Sequence, residues 1–229
     1  MLHRVTGISF DDFDLLVSDY LKAHGAKIIN PLETFRRLRD KELQALFFSK
    51  SRISCAPNLL LRGRPCSEKL ESFSSYDKFV LKTIRGNGGI GVNIINGVDS
   101  LLSILETLYA MKDQRFILQP FIEAKAEYRF FIIAGEIQGI ISKDLSSNEF
   151  RRNSMRVNAN FIQKGDLSTE VESLAISAFE KSGALYAGID IIESKDGPLV
   201  LEINLVPGFK QFEELSGINI ARKLLSLGI

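Results

Sequence analysis

Apolar residues recur at helical spacing between Phe10 and Gly25, at Phe13, Leu15, Leu16, Tyr20 and Leu21, which predicts an amphipathic helix stopped by Gly25. Ala26 to Ile29 reads as a short strand. Pro31 then opens a helical region to about Lys50, with Leu43, Leu46 and Phe47 on one face. Ser51 to Ser75 carries Pro57, Gly63, Pro65 and several serines, so it reads as connections around one short strand, Asn58 to Leu61. Strand patterns follow at Phe79–Ile84 and Val92–Ile95, and a helix at Ser100–Met111. Further strands are expected at Phe116–Phe121, Tyr128–Ala134 and Glu136–Ile141, the last two joined by a tight turn at Ala134-Gly135. Beyond a polar stretch (Ser146 to Asn160), the pattern predicts a helix at Thr169–Gly183, strands at Tyr186–Glu193 and Leu199–Leu205, and a short helical tail. Antiparallel hairpins with helices between them define an α+β fold.

Composition narrows the chemistry. Lys and Arg number 29 against 28 Asp and Glu, a net charge of +1, so no global field favours a nucleic-acid partner. No apolar run is long enough to span a membrane, and no secretory leader follows Met1, so a cytoplasmic chain is expected. Two cysteines, Cys55 and Cys66, cannot build a disulfide framework or a zinc site. The two histidines, His3 and His24, both sit near the start in no suggestive context. Catalysis would therefore run on carboxylates, lysines, arginines and a metal.

Two segments carry candidate chemistry. Gly86-Asn87-Gly88-Gly89-Ile90-Gly91 formally matches the dinucleotide fingerprint, but β-branched Val92 to Ile95 follows it where that fingerprint needs a helix. A glycine loop between antiparallel strands fits better: it could fold over phosphates and offer backbone N–H groups, with Lys82 just before it, or be an exposed hairpin. The second segment is the hairpin from Ala187 to Leu205. A three-residue loop Lys195-Asp196-Gly197 would pair Ser194 with Pro198 and set Asp190 opposite Glu202. Leu199, Leu201, Ile203 and Leu205 would then share one face, and Val200, Glu202 and Asn204 the other. Facing carboxylates repel. A shared divalent cation, with the Asn204 amide oxygen as third ligand, would account for the pair, and such hard oxygen donors suit Mg²⁺. Solvation of both carboxylates, or a different loop length that separates them, is the alternative.

With these residues in order, the sequence resembles the RimK-like branch of the ATP-grasp carboxylate–amine ligases. The resemblance runs from Arg39-Asp40-Lys41 through Leu81-Lys82 and the glycine loop to Leu118-Gln119-Pro120-Phe121-Ile122. Glu127-Tyr128-Arg129, Phe150-Arg151-Arg152-Asn153 and Ala187-Gly188-Ile189-Asp190 come next, and Leu201-Glu202-Ile203-Asn204 with Pro207-Gly208 closes it. It implies an ATP-grasp fold, with two α+β subdomains whose antiparallel sheets grip ATP. A leading segment would span residues 1–50, a small lid subdomain 51–117, and a C-terminal subdomain with the metal site 118–229. The resemblance implies that Lys41 and Lys82 reach the phosphates while Gly86, Gly88, Gly89 and Gly91 form the lid over them. Gln119, Pro120, Phe121 and Ile122 would form the hinge at the adenine edge, Glu127 would hold the ribose, and Arg129 would belong to the nucleotide site. Asp190, Glu202 and Asn204 would bind Mg²⁺ (Mn²⁺ as a substitute), and Arg151, Asn153 and Lys143 would act at the reacting groups. The implied reaction forms an acyl phosphate and ADP, then an amide, on small-molecule or peptide carboxylate and amine substrates. A nucleotide-binding module that has lost ligation fits the same motifs.

Three departures from the family pattern bear on the acceptor. Only about 30 residues precede the Pro31 helix, where relatives carry a fuller α/β domain, which implies a second subunit and a homo-oligomer. Lys143 replaces a common arginine and lacks its bidentate fork. Arg156-Val157-Asn158 stands where Arg-Gly-Gly is frequent.

Overall fold

The computed structural model describes residues 2–4, 12–62, 67–86, 91–111, 115–143, 145 and 159–228. Three helices lead: α1 (Phe13–Ala23), α2 (Leu32–Leu38) and α3 (Lys41–Lys50). The helical region expected from Pro31 to Lys50 is thus broken at Arg39-Asp40. Asp40 is extended (φ −101°, ψ 137°), and its carboxylate pairs with Arg85 instead of capping α3. Ala26 to Ile29 forms no strand; Ile29 makes only an isolated parallel bridge to Leu2.

A four-stranded antiparallel sheet follows, built from β1 (Leu59–Arg62), β2 (Lys78–Thr83), β3 (Val92–Asn96) and β4 (Arg115–Pro120) in the order β1-β4-β2-β3. A short helix α4 (Ser67–Leu70) with a 3-10 turn (Glu71–Phe73) precedes β2, and α5 (Val98–Met111) connects β3 to β4. Side chains alternate along β2, so Phe79 and Leu81 meet Leu101 and Leu105 of α5 in a core of their own. Val80 and Lys82 point the other way. Gly91, at φ +78°, ends the glycine loop. A Cβ there would stand 2.2 Å from Thr83 Oγ1, so only glycine lets the loop close on β2.

The second sheet has the order β7-β6-β5-β8-β9, from β5 (Ala124–Ile133), β6 (Glu136–Lys143), β7 (Ala159–Ile162), β8 (Tyr186–Ser194) and β9 (Gly197–Asn204). The β5–β6 turn is the expected Ala134-Gly135, with φ of 49° and 82° as a two-residue primed turn requires. Helix α6 (Thr169–Ser182) is capped by the Ser168 hydroxyl and ended by left-handed Gly183. It packs Val171, Ala175 and Ala178 into the core that also holds Phe130, Ile189, Phe47 and Phe48. On the opposite face, Phe131 and Tyr186 meet α7 (Lys210–Ser216) and α8 (Ile220–Leu225) through Phe212, Ile220 and Leu224.

The hairpin β8–β9 reaches its expected pairing by a different route. The turn has two residues, with Ser194 opposite Gly197, which alone would set Asp190 opposite Leu201. A register shift between Asp190 and Ile191 inserts one extra residue on β9, and Asp190 pairs with Glu202 after all. The bulge also changes the faces: Val200 and Ile203 both enter the core, at 1% exposure each, against the strict alternation read from the sequence. Two helices also turn differently from expectation. On α3 the buried residues are Gln44, Phe47 and Phe48, with Leu46 exposed, and on α1 Leu15 and Ser18 are buried while Phe13, Leu16 and Tyr20 face out.

Candidate active site

A cleft opens between the two sheets, lined by Lys41 and Gln44 of α3, Lys82 of β2, Gln119 of β4 and Glu202 of β9. Helix α3 is tied to the edge of β9 by one side chain. Gln44 donates to the Ile203 carbonyl (3.0 Å) and the Leu38 carbonyl (2.7 Å), and accepts from the Ile203 amide (2.9 Å). Gln44 thus acts as a surrogate strand partner. Lys41, one helical turn earlier, is held in fixed relation to Glu202. Its backbone N–H donates to the Ile84 carbonyl (3.0 Å) and its ammonium to the Gly86 carbonyl (3.4 Å), at the stem of the glycine loop.

Burial lowers the Lys82 pKa from its ordinary 10.5 to about 8. Glu202 opposes that shift, Lys41 adds to it, and Glu127 and Asp190 oppose it more weakly. Lys82 is thus buried within electrostatic reach of the Lys41 ammonium and of these carboxylates.

The second sheet presents a row of charges on the face that carries Phe131. Glu127 lies opposite Lys143, Arg129 opposite Asp190, and Asp190 opposite Glu202. Lys143 and Glu127 form a buried ion pair. Arg129 grips Asp190 with a bidentate fork, Nε to Oδ1 and Nη2 to Oδ2 both at 2.6 Å. Burial alone would raise the Asp190 pKa, but Arg129, Lys143 and Lys82 together hold it below the usual carboxylate range. Burial likewise works against the Arg129 charge, and Asp190 outweighs it. The two facing carboxylates therefore have a protein counter-charge that the sequence reading did not consider. Next to them, Gly188 lies opposite Asn204, and a Cβ on it would come within 2.9 Å of Pro207 Cβ. Glycine lets the Pro207 turn close over this face, where the Asn204 Oδ1 accepts from the Val206 amide (2.9 Å).

The structure brings together Lys41, Lys82, Glu202 and Gln119 at the cleft, with Glu127, Arg129, Lys143, Asp190 and Asn204 on the adjoining face. Gln119 donates to Asn58 Oδ1 (2.6 Å) and is buried. Pro120 ends β4 opposite Phe79, and Phe121 and Ile122 lead on toward β5, with the Phe121 amide donating to the Lys78 carbonyl (2.8 Å). Gly86 and Gly91 bound the glycine loop, whereas Gly88, Gly89, Arg151 and Asn153 lie outside the described residues. Among the described residues no three His, Cys, Asp or Glu side chains converge as a metal site; the expected set is two carboxylates and an amide oxygen. Those donors are all hard oxygens, the chemistry that suits Mg²⁺; of the three only Glu202 lines the cleft, and both Asp190 oxygens are held by Arg129.

Sequence reasoning missed Gln44, Asn58 and Arg85. Gln44 left a faint trace, a polar residue three and four positions before two phenylalanines on one helix face. His3 was passed over and has a built environment: its ring bonds Ser18 Oγ (2.7 Å) and Asp14 (3.0 Å), but His3 and Ser18 are each 1% exposed, so this trio is structural.

Two antiparallel sheets meet at this cleft, with Lys41 and Glu202 contributed by the larger body and Lys82 by the smaller sheet, and the comparisons give its class. Residues 39–227 match the RimK-like ATP-grasp domain, and the chain belongs to that family. Its class is that of the ATP-dependent, ADP-forming carboxylate–amine ligases. It is 32% identical over 211 residues to a probable alpha-L-glutamate ligase of Haemophilus influenzae, spanning 91% of this chain and 68% of the relative. It is 28% identical over 223 residues to the tetrahydromethanopterin:alpha-L-glutamate ligase of Methanocaldococcus jannaschii, spanning 95% and 74%. The share falls to 65% for the probable alpha-L-glutamate ligase of Histophilus somni, so the chain covers about two thirds of such relatives. Among solved structures, the ATP-grasp ligase PsnB with its minimal precursor superposes with a TM-score of 0.71 at 17% identity, over 93% of this chain and 67% of that one. D-alanine–D-alanine ligase of Bacillus anthracis with ATP gives 0.69 at 20% identity, over 93% and 69%. No described helix is long and apolar enough to cross a membrane.

Proposed function

We propose that this chain binds ATP in the cleft, with the triphosphate toward Lys41 and Lys82, and uses it to join a carboxylate to the amine of an α-amino acid. The observation that carries this reading is the convergence of Lys41, Lys82 and Glu202 on one cleft. The names of the sequence relatives make L-glutamate the first amine to test. In the first step a carboxylate oxygen attacks the γ-phosphorus and ADP leaves. In the second the amine nitrogen attacks the acyl-phosphate carbonyl, orthophosphate leaves, and the amine gives up a proton.

The protein's work is alignment and charge neutralisation. Lys41 and Lys82 offset charge on the phosphate oxygens, and both are donors fixed by the fold before substrate arrives. Glu202, with Asp190 and Asn204, would hold Mg²⁺, as a PsnB structure solved with Mg and ADP supports in general terms. When bound, the ion supplies further neutralisation of the phosphates. Arg129 keeps Asp190 ionised and aimed. Glu127 is proposed for the ribose, with Lys143 holding its carboxylate in place and lying on the side of the reacting groups; Arg151 and Asn153 are proposed to act there too. Incubation with ATP, Mg²⁺ and L-glutamate, with candidate carboxylates added one at a time, should release ADP only with both partners present. Glu202→Ala should abolish that release. Acceptor-independent ADP release, or full activity in Glu202→Ala, would overturn the proposal.

A further inference from the structure

Lys41 and Lys82 repel each other across the cleft, yet they stand on elements that belong to different sheets. Helix α3 belongs to the larger body, through Phe47 and Phe48 in its core and Gln44 on β9. Lys82 belongs to the smaller sheet. The two residues that bracket Lys41 are both acidic, and each takes an arginine from the smaller sheet. Asp40 receives Arg85, two residues beyond β2, with Nε to Oδ1 at 2.5 Å and Nη2 to Oδ2 at 3.2 Å. Glu42 receives Arg115, the first residue of β4. Asp12, just before α1, adds a second carboxylate to Arg85 (3.0 Å) and also meets Arg39 (3.0 Å), which Asp14 holds with both oxygens.

The geometry points to a positioning role for Arg85 and Arg115: their pairing with Asp40 and Glu42 fixes Lys41 in register with Lys82, so that one triphosphate meets both ammonium groups. Neither arginine lines the cleft. They act through Lys41. The physical need is plain, because two like charges brought together in a partly desolvated space drift apart unless the elements that carry them are tied. A loosened tie lowers the fraction of molecules with the cleft in its binding geometry, and apparent affinity falls by that fraction. This inference rests on the cleft binding ATP.

The test is calorimetry of the full chain with ATP plus Mg²⁺ and, separately, with adenosine. Arg115→Glu and Glu42→Arg should each weaken ATP binding by about fivefold, the order expected when a partly exposed pair becomes a repulsion. Adenosine binding should stay within about twofold, since the defect lies at the phosphates. The double variant, with the charges exchanged, should recover ATP affinity to within about twofold of wild type. Arg115→Gln, a change at a half-exposed side chain, serves if a reversal fails to fold, and Arg85→Gln should weaken ATP binding more than Arg115→Gln does because its pair is less exposed. Singles that bind ATP like wild type, or a loss shared equally by ATP and adenosine, would overturn the positioning role. A wild-type chain that binds no ATP would instead overturn the proposed function itself.

Discussion

Replacing Gln44 by Met tests how α3 is built into the site. The two side chains have similar length and shape, so the packing beside Phe47 and Phe48 survives while three hydrogen bonds are lost. Gln44 is 5% exposed, so the Ile203 amide, the Ile203 carbonyl and the Leu38 carbonyl would have no water to turn to. At about 1 kcal/mol for each, the cost is about 3 kcal/mol, which for a chain of this size corresponds to a fall of roughly 6–12 °C in melting temperature. The loss should be accompanied by faster hydrogen exchange at the Ile203 amide and by weaker ATP binding, because Lys41 and Glu202 lose their common tether. Urea denaturation, exchange at that amide and calorimetry together check the chain of reasoning. A destabilisation below about 1 kcal/mol with Ile203 still protected would refute it.

The depressed Lys82 pKa makes a signed prediction. At pH 8 about half of the free protein carries a neutral Lys82, and bound phosphates favour the charged form, so ATP binding should take up close to half a proton, and affinity should fall as pH rises further. Titrations in two buffers of different ionisation enthalpy measure the uptake, which should vanish in Lys82→Met. Gly188→Ala should destabilise by about 1–3 kcal/mol, because its methyl group would have to displace Pro207, and thermal unfolding that matches wild type would contradict the close approach.

Much of the site was legible from local pattern: the β2–β3 hairpin around the glycine loop, the Ala134-Gly135 turn, and the facing of Asp190 and Glu202. That last pairing was reached through two offsetting departures. The turn is one residue shorter than expected, and the bulge at Leu201–Glu202 restores the count. Nothing local marks such a bulge, since Leu201 simply continues the apolar run Leu199-Val200. Non-local ties were equally silent. Arg129 finds Asp190 only because β5 lies beside β8, sixty-one residues apart in sequence. Gln44 reads as a surface residue until β9 arrives at its side chain. The apolar pattern of α1 misled for a related reason: the face that docks is chosen by Ser18 and Asp14 bonding His3, which is polar recognition that hydrophobic periodicity does not record.

The most direct measurement is calorimetric binding of ATP to the wild-type chain and to Glu202→Ala, each with and without Mg²⁺. The account predicts binding to wild type that strengthens with Mg²⁺, and a variant in which the Mg²⁺ effect is lost while the fold is kept. Binding that ignores Mg²⁺, or a Glu202→Ala protein that binds ATP with Mg²⁺ as wild type does, would contradict it.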